Sequence, residues 1–217
     1  MSEAVKHPRQ YDASRRRERA GETRGRILAS ALRLFLDKGY AGAAMPDIAR
    51  AAGVSVPTIY KAFPNKARLL KATFDVSVAG DDDATPMAER DVITAIRAEP
   101  DAAKKITMYA AHLADTAPRT VPLQLVARAA AGVDDAAAEV WAQMRQEMLT
   151  AMTYFTADLE ATGQLRTGAS TDEARDVLWA YHSPEIYELL VLERGWSTEQ
   201  YGRFVGEAMI GAVLDAE

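Results

Sequence analysis

The sequence contains no cysteine, which excludes a disulfide framework, a thiolate nucleophile and a zinc site built on cysteine. Aromatic residues are few, at 7% of 217 residues, and no apolar run approaches the roughly 20 residues of a membrane-spanning helix. Signals for β-strands are also scarce, because alternating β-branched runs are few and no Asn-Gly or Asp-Gly hairpin turn occurs. These absences predict an all-α protein that has no membrane partner.

The amino-terminal segment is basic but lacks the apolar stretch of a secretory signal. Six of its first twenty residues are Lys or Arg, and no hydrophobic core follows them. We therefore expect a cytoplasmic protein.

The net charge of −5 conceals a strong segregation of charge along the chain. Residues 1–75 contain 15 Lys and Arg against 7 Asp and Glu, whereas residues 76–217 contain 11 against 24. Such a division would attract a polyanion to one end of the molecule and repel it from the other. A solvated basic tail with no partner is the alternative interpretation.

Apolar residues recur at spacings of three and four between Gly, Pro and capping residues, which predicts a series of helices. The predicted helices are 24–39, 46–52, 56–62, 65–79, 87–98, 101–116, 121–131, 134–162, 171–192 and 197–215. Pro122 falls in a predicted first turn, whereas Pro184 lies inside a helical pattern and should kink or split the helix near residues 180–183.

Residues 46–63 have the spacing of a helix-turn-helix. Gly53 permits the sharp turn, and Ser55 is placed to cap the second helix. That helix should bury Val54, Ile59 and Phe63 and leave five residues facing outward, namely Val56, Pro57, Thr58, Tyr60 and Lys61. A structural helical hairpin is the alternative for this motif taken alone.

The next helix begins with a lysine in its first turn, where the helix dipole disfavours a cation. Asn65 can cap this helix, which places Lys66 directly after the cap. A phosphate bound at the start of the helix would explain why a lysine occupies this position. The alternative is a solvated lysine whose unfavourable interaction with the helix dipole costs little free energy.

At these residues the sequence resembles the tetracycline-repressor (TetR) family of bacterial transcription regulators. Residues 26–40 resemble the family's first helix and its Gly-Tyr turn, and residues 47–70 resemble its most characteristic stretch. The resemblance implies a dimeric repressor with a small-molecule pocket in its remaining helices. This sequence departs from the family at Ala43 and Ala44, where a pair of threonines is usual, at Pro57 in place of glycine, and at Ala62 in place of histidine.

We therefore predict an all-α protein with an amino-terminal three-helix helix-turn-helix domain followed by a larger helical domain for effector binding and dimerisation. The predicted divisions are a flexible basic arm over 1–22, a DNA-binding domain over 23–75 and an effector and dimerisation domain over 76–217.

The outward face of the recognition helix lacks Arg, Asn and Gln, which make the bidentate contacts to guanine and adenine. This face offers Thr58, Lys61 and the apolar surfaces of Val56 and Pro57. The apolar surfaces suit thymine methyl groups, and direct readout should cover few bases. Phosphate contacts should fix the register, and DNA shape should add discrimination. The predicted phosphate contacts are Ser55, Tyr60 and Lys66. The arginines ahead of the first predicted helix are placed to reach phosphates or an adjacent minor groove, notably Arg15, Arg16, Arg17, Arg19 and Arg24.

The predicted helix 134–162 carries a stripe of large apolar residues at helical spacing. Such a stripe is commonly protein core, but methionine-rich surfaces also accept varied apolar ligands. We predict a pocket for a small apolar or aromatic effector of unknown identity, lined by Met108, Tyr109, His112, Trp141, Met144, Met148, Met152, Phe155, Trp179 and His182. For His112, a hydrogen-bonded core histidine is the preferred interpretation.

The last two predicted helices carry more apolar surface than an isolated domain would cover, which predicts a homodimer interface. The interface residues are predicted to be Ile186, Leu190, Tyr201, Phe204, Val205, Met209 and Val213. A twofold dimer would present two recognition helices to a palindromic operator of double-stranded DNA with half-sites about 34–36 Å apart, or a multiple of that spacing.

Catalysis is not expected, since the sequence has no Walker loop, no HExxH and no GxSxG, and its three histidines are scattered. We predict no catalytic residues, no metal site and no cofactor. An effector-independent helical DNA-binding or nucleoid-associated structural protein is the main alternative, and an enzyme without a recognisable motif is a weaker one.

Overall fold

The structure is a computed structural model that describes residues 9–80 and 87–215, with side chains from residue 18 onward except at residue 88. The described residues form helices and contain no β-strand, which confirms the predicted all-α fold. The helices are α1 (Arg9–Gly42), α2 (Met45–Ala51), α3 (Val56–Ala62), α4 (Lys66–Ala79), α5 (Asp91–Ala98), α6 (Ala102–Ala131), α7 (Asp135–Glu160), α8 (Thr171–Tyr181), α9 (Pro184–Tyr187) and α10 (Thr198–Val213). Within the described ranges, no helix has both the length and the apolarity that crossing a bilayer requires.

The chain divides into two compact units, residues 1–73 and 74–217. The boundary falls inside α4, two residues before the predicted division after residue 75. The first unit contains α1, α2 and α3, and the second contains α5 to α10.

The first unit is held together by apolar side chains from each of its helices. Ile27 and Phe35 of α1, Ile48 of α2 and Ile59 of α3 are completely buried. Gly39 ends the regular part of α1 with a φ of 65°, a backbone conformation that favours glycine. The chain can therefore turn from α1 into α2 where the sequence predicts a helix end.

The predicted flexible arm over residues 1–22 is wrong from Arg9 onward, because those residues are the first turns of α1. Residues 1–8 lie outside the described part of the chain. The segment from residue 9 to residue 20 contains five Arg and two Ala, which are strong helix formers, and it contains no Gly or Pro. The helix therefore extends well ahead of the predicted start at residue 24.

The predicted helices 101–116 and 121–131 are a single helix, α6, with Pro118 and Pro122 in its interior. Proline was expected to interrupt the helix because it removes a backbone hydrogen bond. Leu113, Ala117 and Val121 nevertheless form one continuous buried face on both sides of Pro118. Tertiary packing of that face outweighs the local cost of the prolines.

The predicted helix over 171–192 is interrupted near residues 180–183, as expected from Pro184. Helix α8 ends at Tyr181, and Pro184 occupies the first position of α9, where a missing amide hydrogen is tolerated. The chain continues from α9 as a π-helix over Glu188–Glu193. Helix α10 then packs mainly against α6 and α8.

The contact between α10 and α6 depends on the small size of Gly202. A Cβ atom at this position would lie 2.7 Å from Ala114 Cβ and 3.3 Å from the carbonyl oxygen of Ala110. Gly202→Ala is expected to lower the free energy of unfolding by about 1–3 kcal/mol through overpacking. Urea denaturation followed by circular dichroism measures this change.

Gly211 on the same helix provides the matched control, since a Cβ there would meet nothing within 4 Å. Gly211→Ala is expected to raise the free energy of unfolding by about 0.5–1 kcal/mol, because alanine has the higher helix propensity. Equal effects of the two substitutions would contradict the close approach at Gly202.

Candidate DNA interface and ligand cavity

Helix α3 begins at a well-formed cap. The Ser55 hydroxyl accepts a hydrogen bond from the Thr58 amide at 3.3 Å, and the two hydroxyl oxygens lie 2.7 Å apart. Pro57 occupies the first turn, where it costs little. Ile59 and Phe63 are buried as predicted, whereas Val54 is only half-buried.

The opposite face of α3 is open to solvent. The exposed residues are Ser55, Val56, Pro57, Thr58, Tyr60 and Lys61. Tyr60 is 48% exposed, a large fraction for an aromatic side chain in a folded domain. The predicted recognition face is therefore accessible, and its contacts with DNA remain a prediction.

Arg24 of α1 lies beside the end of α3. Its guanidinium carbon is 4.7 Å from the centre of the Phe63 ring, a favourable cation–π distance. Arg24 is exposed, so its charge is available near α3. The side chains of Arg15, Arg16 and Arg17 lie outside the described part of the chain.

Lys66 has partners within the protein that sequence reasoning missed. Its ammonium donates to the carbonyl oxygen of Tyr40 at 2.6 Å and lies 4.1 Å from the centre of the Tyr40 ring. Asn65 caps α4 as predicted, since its side-chain oxygen accepts the Arg68 amide at 2.8 Å. These contacts explain why a lysine occupies the first turn of α4 without a bound phosphate. A phosphate contact by Lys66 stays a prediction.

The second unit contains a cavity of about 380 Å³. Six of the ten predicted pocket residues line it, namely Tyr109, His112, Met148, Met152, Phe155 and His182. Its other walls include apolar residues of α4 and α5, such as Phe74, Val78 and Ile96. A volume of this size is within the range of small-molecule sites.

A neighbouring cavity of about 460 Å³ is lined by Trp141, Met144 and Trp179. The two cavities share Gln124, Met148 and His182 as walls. The predicted pocket residues are thus divided between two adjacent chambers. Met108 lines neither chamber and packs instead against the apolar core of the unit.

Three polar residues that line the first chamber, Tyr109, His112 and His182, are electrically neutral near pH 7. Its charged lining residues are Arg97 and Asp158, which form an ion pair at 3.5 Å, and Glu147. The Tyr109 hydroxyl and His182 Nδ1 are 2.5 Å apart, and the Tyr109 ring stacks on Phe155 with centroids separated by 4.6 Å. Burial raises the pKa of Tyr109 and, with a smaller contribution from His112, lowers the pKa of His182 to about 4. Burial is also the main cause of the lowered pKa of His112. The chamber therefore favours an apolar molecule with a hydrogen-bonding group.

Sequence reasoning missed the polar wall that the second half of α6 contributes. Thr116, Thr120 and Gln124 are buried and line the first chamber. Their spacing of four residues places them on one helical face. The pattern was visible in the sequence, but it becomes informative only when α6 continues through Pro118 and Pro122.

The lowered pKa of His182 predicts a specific dependence of stability on pH. An unfolded histidine binds its proton near pH 6.5, whereas His182 in the folded state stays neutral down to about pH 4. The unfolded state then binds more protons, so the free energy of unfolding should fall as pH is lowered from about 6.5 to about 4. Chemical denaturation at several pH values measures this fall.

His182→Gln is the comparison, because glutamine retains hydrogen-bonding groups and does not titrate. The fall between pH 6.5 and pH 4 should be smaller in this variant than in the unaltered protein. Identical pH profiles would show that His182 does not remain neutral in the folded state.

The predicted dimer interface needs correction at four positions. Tyr201, Val205, Met209 and Val213 are completely or almost completely buried in the core of the second unit. They face α6 and α8 within the same chain because α10 packs between those helices. Their apolar surface is therefore already covered and cannot meet a partner.

The other predicted interface residues remain accessible to different degrees. Phe204 is exposed, and Ile186 and Leu190 are half-buried. Two exposed leucines that the prediction omitted, Leu189 and Leu192, lie on the π-helical segment and are 53% and 54% exposed. This pattern moves the candidate interface from the buried face of α10 to the segment 186–192 and Phe204.

Taken together, the fold and the exposed face of α3 define a helical protein with an amino-terminal helix-turn-helix domain. Residues 27–73 match the family described as bacterial regulatory proteins, tetR family. The amino-terminal domain belongs to the TetR family, and the rest of the chain has the helical fold seen in structures of TetR-family regulators.

The curated relatives match the amino-terminal part of the chain. The regulator CymR of Pseudomonas putida is 48% identical over 58 residues, which cover 27% of this chain and 29% of CymR. The regulator TtgR of Pseudomonas putida is 44% identical over 61 residues, which cover 28% and 29% of the two chains. The match thus spans less than a third of the length of these relatives.

Solved structures extend the similarity of fold to most of the chain. FadR of Bacillus subtilis in complex with stearoyl-CoA has a TM-score of 0.67 at 19% identity, over 86% of this chain and 97% of FadR. A transcriptional regulator of Saccharomonospora viridis in complex with choline has a TM-score of 0.66 at 18% identity, over 90% and 99%. At these identities the comparison establishes the fold alone.

Proposed function

We propose that this protein is a homodimeric transcriptional repressor that binds a palindromic DNA operator and is released by a small, mostly apolar ligand. The accessible face of α3 carries the proposal. Its cap and buried residues hold a short helix rigidly, while five consecutive or near-consecutive side chains project into solvent. DNA binding also implies action in the cytoplasm.

The composition of this face supports sparse direct readout. Val56 and Pro57 offer apolar surface to thymine methyl groups, and Thr58 and Lys61 supply hydrogen-bonding groups. Tyr60 and Arg24 are both exposed and suited to phosphate contacts. Specificity should therefore depend partly on the shape and deformability of the operator.

The two chambers of the second unit support control by a ligand. Their apolar walls, neutral histidines and buried hydroxyl groups are typical of sites for small organic molecules. Structural neighbours hold stearoyl-CoA and choline, which are chemically unlike each other, so the identity of the ligand must come from the residues of this chain.

Release from DNA would follow from a shift between two conformations. A ligand that binds more tightly to the conformation with mismatched recognition helices would reduce operator affinity. Nearly complete switching requires that the free energy of ligand binding differ by about 5.5 kcal/mol between the two conformations. Helix α4 contributes Phe74 and Val78 to the first chamber, and its earlier residues belong to the DNA-binding unit.

An electrophoretic mobility shift assay with the DNA upstream of the protein's own gene tests the proposal. We expect a discrete complex that survives competition by unrelated DNA, with protection of a palindromic site in footprinting. A reporter gene placed behind that site should be repressed and should respond to the ligand. Binding that is equally tight on all DNA would favour an effector-independent structural role instead.

A further inference from the structure

Both chambers have arginine side chains in their walls. In the first chamber Arg97 forms an ion pair with Asp158 at 3.5 Å. Arg128 and Arg145 line the second chamber, and the polar residues that the two chambers share are Gln124 and His182. Met148 also belongs to both chambers, and its flexible side chain can adapt to a molecule that reaches from one to the other.

Arg128 has its charge neutralised within the protein. One of its guanidinium nitrogens donates to Glu185 at 2.9 Å, and the other donates to Glu188 at 2.6 Å. This arginine therefore fastens α6 to α9 and the π-helical segment and has little charge left for a ligand.

Arg145 is held differently. Its guanidinium carbon lies 4.9 Å from the centre of the Trp179 ring and 6.0 Å from that of Trp141. Among the residues that the structure describes, no carboxylate forms an ion pair with it. Two aromatic rings thus orient a cation at the second chamber while its hydrogen-bond donors remain available.

We propose that the ligand is an amphipathic monocarboxylate whose apolar body occupies the first chamber and whose carboxylate binds Arg145 in the second. This inference rests on the proposed function, since it names the chemical class of the regulator's ligand. A planar guanidinium can donate two parallel hydrogen bonds to a carboxylate. The two tryptophan rings beside Arg145 hold its side chain in place, which reduces the conformational entropy that the side chain loses when a ligand binds.

The charge of the surrounding unit favours a single negative charge on the ligand. Residues 76–217 contain 24 acidic against 11 basic residues, and Glu185 itself lines the second chamber. A dianion such as a phosphate monoester would be repelled more strongly than a carboxylate. A cationic ligand would have to displace Arg145 from the aromatic rings.

Ligands with matched apolar parts test this assignment. Decanoate, decan-1-ol, decyl phosphate and decyltrimethylammonium share one chain, and 4-butylbenzoate with 4-butylbenzyl alcohol provides an aromatic pair. Tryptophan fluorescence reports binding, because two of the three tryptophans line the second chamber. We expect at least one carboxylate to bind roughly tenfold more tightly than its alcohol and, for the decyl series, more tightly than the phosphate.

Arg145→Met removes the charge and retains an unbranched side chain. The preference for carboxylate over alcohol should disappear in this variant, while the affinity for the alcohol stays the same. Arg194→Met is the control, because Arg194 is exposed and lies outside both chambers. It should retain the preference.

Three results would overturn the proposal: no carboxylate binding more tightly than its alcohol, a preference that survives in Arg145→Met, or tightest binding by the phosphate or the ammonium compound. Operator binding is measured without ligand, so each of these results leaves DNA binding intact. Loss of DNA binding by the unaltered protein would instead contradict the proposed function.

Discussion

Replacing Tyr60 and Lys61 together by alanine should lower operator affinity by about 100-fold, since each good contact to DNA contributes roughly 1–3 kcal/mol. Both side chains are exposed on α3, so their removal takes away contacts with DNA and leaves the packing of Ile59 and Phe63 unchanged. Fluorescence anisotropy with a labelled operator at several salt concentrations measures the affinity. The dependence on salt should weaken as well, because the positive charge of Lys61 is lost.

Two control variants separate the loss of contacts from a loss of folding. Ile59→Ala removes a completely buried side chain and should lower the free energy of unfolding by about 2–5 kcal/mol. Arg194→Ala removes one exposed positive charge from the second unit and should leave operator affinity unchanged. Operator affinity and salt dependence that are unaltered in the Tyr60 and Lys61 variant would show that α3 is not the recognition helix.

Replacing Leu189 and Leu192 together by glutamate should convert the proposed dimer into a monomer and lower operator affinity by about 10²–10⁴-fold. A dimer binds its second half-site at a high effective concentration, and a monomer loses this advantage. The two leucines are more than half exposed, so the substitution should not disturb the core. Sedimentation velocity gives the oligomeric state, and the anisotropy assay gives the affinity.

Val133 supplies a matched control for the charge and for the loss of exposed apolar surface. It is 82% exposed and lies between α6 and α7, away from the segment 186–192 in the sequence. Val133→Glu should remain a dimer with unchanged operator affinity. A dimeric Leu189 and Leu192 variant would show that this segment is not the interface.

The helix-turn-helix was predicted accurately because local interactions define it. The cap at Ser55, the turn at Gly53 and the burial of Ile59 are all encoded within ten residues of one another. Lys66 shows the limit of such reasoning, because its partner Tyr40 is 26 residues away in the sequence. Its hydrogen bond depends on the tertiary structure, which brings the first residue of α4 to the Tyr40 carbonyl of α1.

The second unit was predicted less accurately because its apolar residues can be buried by helices of the same chain, by a partner subunit or by a ligand. Tyr201 and Val205 were assigned to a dimer interface, yet both are buried against helices of the same chain. Periodicity identifies an apolar face, but it does not identify which neighbour covers that face. For the same reason the predicted pocket residues are divided between two chambers, and Met108 packs against the core outside both of them.

The sequence alone determined the all-α class, the position of the helix-turn-helix and the segregation of charge between the two parts of the chain, since each follows from local pattern and composition. Tertiary structure decided that α6 runs unbroken through Pro118 and Pro122, that α10 buries its apolar face internally, and that Arg145 lies over two tryptophan rings. These outcomes depend on contacts between residues distant in sequence, and the free energy of such packing exceeds the local preferences that a sequence displays.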